Sequence, residues 1–201
     1  MDILPEKNGP WTIRSWKIIH DSQWLRLTEH GVTQPDGSEG QYGVVQFKNL
    51  AIGVLPLDEE GNTWLVGQHR FALDEYSWEL PEGGGPLDTA PLETAKRELR
   101  EETGLSASDY HPLCFFFTSN SVTDERAYGF LAWDLQEGAA SPEPSEELAL
   151  RKLSFRELLE DVTSGKITDG FTITMVLMAA QKAKKGLLPE PVATILKAQI
   201  D

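Results

Sequence analysis

The sequence predicts a mixed α/β fold, an α/β/α sandwich with a mixed sheet between helices, preceded by a small antiparallel β segment. Three observations carry this. Short β-rich runs fill the first quarter of the chain, strand-like apolar runs flank one strongly patterned helix near the middle, and the last third has helical apolar spacing. The expected division is residues 1–48 as the β segment and 49–201 as the main domain, and 201 residues suffice for a sizeable core.

Residues 12–48 are expected to form the small sheet, with Gln34-Pro35-Asp36-Gly37 as a turn between two strands. Trp11, Trp16, Trp24 and Tyr42 lie in or beside it, and core packing is the default for each. Leu50 to Leu57 and Thr63 to Gln68 are apolar enough for central strands, joined by the turn Asp58-Glu59-Glu60-Gly61-Asn62. Arg70 follows at a strand end, either reaching into a cleft or pairing with Asp74 or Glu75. The segment SWELPEGGG then supplies three glycines, which let backbone approach a ligand closely.

A helix is expected from Ala90 to Thr103, with Thr89 as N-cap, Pro91 in the first turn and Gly104 just past the end. Leu92, Ala95 and Leu99 give it a narrow apolar face. Glu98, Glu101 and Glu102 project from adjacent turns on the other side, near the helix C-terminus, where the dipole disfavours anions. Glu93–Arg97 and Arg97–Glu101 are opposite-charge pairs at i, i+4, which leaves Glu98 and Glu102 without a cation from the helix itself. A hard divalent cation such as Mg²⁺ suits such an oxygen cluster; the competing reading is a solvated acidic face.

HPLCFFFTSN and RAYGFLAWDL read as strands, and Glu125, on the polar loop between them, is a candidate general base. Cys114 in the first run reads as a core residue, and a single cysteine permits no intramolecular disulfide. The stretch from Gln136 to Glu147 is a Pro/Ser/Glu-rich connection. Phe155 to Thr163 and Thr172 to Lys184 have helical spacing with Gly165 and Gly170 between them; Met175 and Met178 are expected as core fillers, with Lys182, Lys184 and Lys185 complementing a helix end.

With 32 acidic against 18 basic residues the formal net charge is −14, which argues against nucleic acid as a partner. A small anionic substrate would need a local cation. No apolar run reaches the roughly 18 residues of a membrane helix. The N-terminal residues lack the pattern of a signal peptide, so a cytoplasmic location is expected.

The stretch from Gly83 to Leu105 resembles the Nudix box, G-x5-E-x7-R-E-U-x-E-E-x-G-U with U aliphatic. Gly83, Arg97, Glu98, Leu99, Glu101, Glu102, Gly104 and Leu105 fall in register, and Thr89 stands where the box has its early glutamate, a charge that Asp88 or Glu93 could supply. QHR at 68–70, ELPEG at 79–83, SNSVTDER at 119–126 and GKITDGFTI at 165–173 are similar to motifs of the ADP-ribose and nucleoside-diphosphate-sugar pyrophosphatases within that family. The resemblance implies Mg²⁺-dependent hydrolysis of a nucleotide-sugar diphosphate, with Mn²⁺ as a second suitable ion. It implies metal binding by Glu98, Glu101, Glu102 and the Glu82 carbonyl, and catalytic roles for Glu125, Glu101 and Arg97. Trp24, Tyr42, Arg70, Glu79 and Gly83 would contact substrate, Trp24 and Tyr42 by stacking on the base. A homodimer with exchanged N-terminal segments is also implied. GDP-mannose or a dinucleotide as substrate, and a non-catalytic sensor, are the competing readings.

Overall fold

Residues 5–141 and 147–200 are described in the computed structural model of the chain, and by their contacts they form two units. Of the described residues, the first takes 5–50 and 117–126, the second 51–116, 127–141 and 147–200.

The first unit is a four-stranded antiparallel sheet of β1 (Glu6–Asn8), β2 (Trp11–Asp21), β3 (Leu25–Thr33) and β4 (Glu39–Phe47), in that order. The expected turn is present: the Gly37 N–H donates to the Gln34 carbonyl at 2.9 Å, with Gly37 at φ +86°, a conformation glycine adopts without strain. The loop that carries Glu125 joins this unit, bridging Val45 to Thr123. Two of the tryptophans are not core residues, because Trp16 is 43% and Trp24 61% exposed. Trp11 is half-buried and meets Tyr42 edge to face, with ring centroids 5.5 Å apart.

In the second unit β5 (Asn49–Pro56) lies between β8 (Glu82–Pro86) and β10 (Arg126–Glu137), with β9 (Leu105–Phe117) beyond β10. β5 and β10 are parallel, so the sheet is mixed. β5 is covered on both faces: Leu55 faces the main apolar cluster, while the alternate residues Ile52 and Val54 are equally buried. A second, three-stranded sheet is antiparallel, β11 (Ala149–Ser154), β6 (Asn62–Arg70) and β7 (Glu75–Glu79). The turn at Asp58–Asn62 therefore connects different sheets and closes no hairpin, because both edges of β5 and of β6 already carry other partners. Helix α1 (Pro91–Thr103) packs on β8 and β6, while α2 (Phe155–Thr163), α3 (Gly170–Lys184) and α4 (Val192–Ile200) pack on one another.

Several boundaries differ from expectation for local reasons. Ala90, not Thr89, is the N-cap of α1: it precedes Pro91, whose ring drives the preceding residue into an extended conformation, here φ −59° and ψ 127°. Gly104 ends the helix in the left-handed region, as expected. α3 starts two residues early, at Gly170, because the Asp169 carboxylate accepts the Thr172 N–H at 2.6 Å. Met175 is fully buried, but Met178 is partly exposed and fills no core. Cys114 is half-buried against the core, where burial raises its pKa and keeps the thiol protonated. Strands β7, β8 and β11 and helix α4 were not anticipated. Within the expected connection from Gln136 to Glu147, residues 142–146 lie outside the described residues.

Candidate active site

The carboxylates of α1 are not on a solvated face. Glu98 and Glu102 are 7% and 3% exposed, in line with Thr94, Ala95 and Leu99 on the buried side of the helix, and Glu101 is half-buried. An ionised carboxylate in such a place needs compensation, and Arg97 provides part of it. Its Nη1 donates to Glu101 at 2.6 Å, and its Nη2 donates to Glu98 at 2.5 Å and to the Gly84 carbonyl at 2.9 Å. Burial opposes the charge on Arg97, but Glu98 and Glu101 more than offset this and raise its pKa. The expected Glu93–Arg97 pair is absent because Lys96 holds Glu93 at 2.9 Å. Glu98 is therefore not without a cation from the helix: Arg97 turns inward to it.

The turn before β8 meets these groups. The Glu82 N–H donates to Glu102 Oε2 at 3.0 Å. A Cβ on Gly83 would fall on the Glu98 carboxylate, so the absence of a side chain at Gly83 is what lets Glu98 lie against this turn. Three carboxylates against one guanidinium, all hard oxygen donors, are chemically suited to Mg²⁺ or Mn²⁺.

Beside them lies a second acidic group, whose members come from separate parts of the chain. Arg70 at the end of β6 clamps Glu79, which is only 2% exposed, with Nε 2.9 and 3.1 Å from its two oxygens, and its Nη2 lies 3.3 Å from Glu82. Arg70 thus pairs with Glu79 and Glu82, not with Asp74 or Glu75; Asp74 is engaged by His69. Oxygens of Glu79, Glu82 and Asp169 all lie within 4.8 Å of one another. They line a cavity of about 370 Å³ together with Arg70, Ser77 and Thr168. Asp169 was visible in GKITDGFTI only as part of a motif; its approach to Glu79 required the fold.

Glu82 Oε2 is buried and has no hydrogen-bond partner among the described residues. Burial first, then Asp169 and Glu79, push this carboxyl well above the usual range, against the pull of Arg70. A raised carboxyl pKa means that the folded chain holds a proton the unfolded chain has released, so its stability declines as pH rises from the unfolded value near 4.5 through the folded one. Glu82→Gln removes that penalty. The metal-free variant is expected to melt a few degrees higher than the parent at pH 8, at about 2–4 °C per kcal/mol for a chain of this size, with little difference at pH 4. Thermal unfolding at both pH values checks this, and equal gains at the two would refute it.

In the first unit, a cavity of about 410 Å³ is lined by Trp11, His30 and Tyr42, by aliphatic residues of β2 to β4, and by residues 120–123 of the loop. The Tyr42 hydroxyl donates to the Ser121 carbonyl. Trp24 does not line this cavity, and the aromatic that meets Tyr42 is Trp11. Glu125 accepts the Thr118 hydroxyl at 2.6 Å, and its neighbour Asp124 accepts the Phe47 N–H at 2.8 Å. The residues singled out in the sequence therefore divide: Trp24, Tyr42 and Glu125 belong to the first unit, and Arg70, Glu79, Glu82, Gly83, Arg97, Glu98, Glu101 and Glu102 to the second.

Comparison with known proteins adds independent findings. Residues 47–169 match the NUDIX domain, and residues 11–45 match the nucleoside diphosphate sugar hydrolase N-terminal domain. An ADP-ribose pyrophosphatase of Mycobacterium tuberculosis is 31% identical over 186 residues, covering 90% of this chain and 88% of its own. A CMP-5'-(N-acetyl-N-hydroxy-3-aminopropyl)phosphonate hydrolase of Streptomyces rubellomurinus is 29% identical over 169 residues, covering 83% of this chain and 81% of its own. The crystal structure of an ADP compounds hydrolase shares the fold, with a TM-score of 0.79 at 15% identity over 91% of this chain and 100% of that one.

Proposed function

The chain belongs to the NUDIX family, and from that premise we propose that it is a hydrolase of ADP-ribose or a related nucleoside-diphosphate sugar. The products are a nucleoside monophosphate and a sugar phosphate, AMP and ribose 5-phosphate from ADP-ribose. The observation that carries the reading is the joining of Arg97, Glu98 and Glu101 on α1, with Glu102 engaged by the Glu82 N–H. A solvated acidic face would have no reason to bury two of its glutamates.

The residues that would hold a divalent cation are Glu98, Glu101, Glu102 and the carbonyl of Glu82. When bound, Mg²⁺ or Mn²⁺ supplies positive charge against the phosphate oxygens and acidifies water. Arg97 pairs with Glu98 and Glu101 and orients both. Arg70, itself fixed by Glu79, offers a guanidinium to the diphosphate or the adjacent ribose. Glu125 accepts the proton of the attacking water. Trp24 and Tyr42 stack on the base, Gly83 leaves room for the carboxylate of Glu98, and residues 1–48 act as the dimerising, base-binding part of a cytoplasmic homodimer.

The test is a panel of ADP-ribose, GDP-mannose, UDP-glucose and NADH, incubated with Mg²⁺ or with EDTA. AMP released from ADP-ribose in Mg²⁺ and not in EDTA is the expected result. The similarity to a CMP-linked phosphonate hydrolase favours adding cytidine-based substrates as a second arm. Binding without cleavage of any member would refute the hydrolase and favour a sensor.

A further inference from the structure

We propose that Thr172 is a positioning residue for the Glu82–Glu102 contact, acting through the backbone of residues 80–82. The inference deepens the divalent-cation reading above and rests on it. Its starting point is a hydrogen bond between segments 92 positions apart: the Leu80 N–H donates to Thr172 Oγ1 at 2.9 Å. Both residues are completely buried, so no solvent is at hand to replace either partner.

Thr172 is held on its own side. Its backbone N–H is taken by the Asp169 carboxylate at 2.6 Å, which caps α3 and fixes the direction of the first turn. The neighbouring Phe171 packs edge-on against Phe116, with centroids 5.1 Å apart and planes at 90°. A Cβ on Gly53 would lie 3.1 Å from the Phe171 ring, so the helix start sits tightly on β5. The hydroxyl of Thr172 is thus a fixed acceptor.

Three consecutive residues of the turn are tied in turn. Leu80 gives its N–H to Thr172, the Pro81 carbonyl accepts the Val54 N–H at 2.9 Å, and Glu82 gives its N–H to Glu102 Oε2 at 3.0 Å. Pro81, with no N–H of its own, adds no fourth tie. The first and third end on side-chain atoms, and the first is the one that reaches outside the carboxylate group, to the hydroxyl of Thr172. Without it the Leu80 N–H is left unpaired in the interior, and the turn has to shift to find a partner. The shift passes directly to the Glu82 backbone and so to Glu102. This gives a role to the Asp169-x-x-Thr172 pair that its place in a helix cap does not.

The experiment uses the whole chain and Mn²⁺ as probe, with bound ion counted by electron paramagnetic resonance and melting followed in parallel. Thr172→Val keeps the shape and removes the hydroxyl; Thr172→Ser keeps the hydroxyl. Val176→Ala opens the core elsewhere on α3 and controls for lost stability. The Val variant is expected to bind Mn²⁺ about 10-fold or more weakly, in the range found when a ligand's support is removed, with the Ser and Val176→Ala variants close to the parent. Wild-type affinity in Thr172→Val, or equal weakening in Val176→Ala, would overturn the proposal. A parent chain that binds Mn²⁺ yet hydrolyses nothing removes the proposed activity and leaves the positioning role standing. One that takes up no Mn²⁺ removes both.

Discussion

Replacing Glu102 by glutamine is expected to lower turnover by two to three orders of magnitude while the chain remains folded. The substitution keeps the shape of the side chain and an oxygen that can accept the Glu82 N–H, so the turn before β8 retains its anchor. What it removes is one full negative charge from a site that is 3% exposed. A cation's stabilisation of transition-state charge is worth several kcal/mol, and each ~1.4 kcal/mol is a factor of 10 in rate. Losing one of its few anionic ligands therefore costs about 10²–10³-fold. Stability moves the other way or not at all, since a buried carboxylate near the Glu82 carboxyl is itself unfavourable. The check is kcat on ADP-ribose at saturating Mg²⁺ beside a thermal melt of the same preparation. A variant within twofold of the parent would show that Glu102 holds no cation during the reaction.

Why α1 could be read from its letters and the Arg70 group only in part has a physical explanation. A helix puts residues three and four apart on one another's doorstep, so Arg97 with Glu101, and Glu98 with Glu101 and Glu102, were bound to be neighbours wherever the helix lay, whereas the turn of Arg97 toward the adjacent Glu98 followed from no such rule. Which side of it was buried was a different matter. Leu92, Ala95 and Leu99 suggested a narrow stripe, yet Glu98 and Glu102 are buried beside it because the glycine turn approaches there. No local rule places Glu79, Glu82 and Asp169 together, since the last comes from a helix start some ninety positions later. The strands β5 and β6 teach the same lesson: their composition showed them to be central, but not that they occupy different sheets. For Trp16 and Trp24, apolar bulk suggested a core, whereas the surrounding β segment leaves them exposed. Pro91 did carry a local signal for the cap at Ala90, through its effect on the residue before it.

Gly83→Ala is the substitution expected to separate folding from cation binding most cleanly. The methyl group it adds would coincide with the carboxylate of Glu98, the far end of a flexible side chain and not part of the backbone. Relief is therefore available: Glu98 swings away, and the turn keeps its bonds from Val54 N–H to the Pro81 carbonyl and from the Glu82 N–H to Glu102. Gly83 is not among the glycines at positive φ, so alanine brings no penalty from a left-handed backbone. A loss of stability of about 1 kcal/mol, the typical cost of a point substitution, corresponds to a fall in Tm of about 2–4 °C. The displaced carboxylate also abandons Arg97, which held it at 2.5 Å, and leaves the proposed cation site to Glu101 and Glu102. Activity at fixed Mg²⁺ should drop about 100-fold, much of it regained as Mg²⁺ is raised, because the defect lies in affinity. A Mg²⁺ titration of kcat with the melt alongside decides it. Full activity at the parent's Mg²⁺ requirement would mean that Glu98 serves the fold and not the ion, whereas a collapsed melting transition would mean that the turn, and not the carboxylate, gives way.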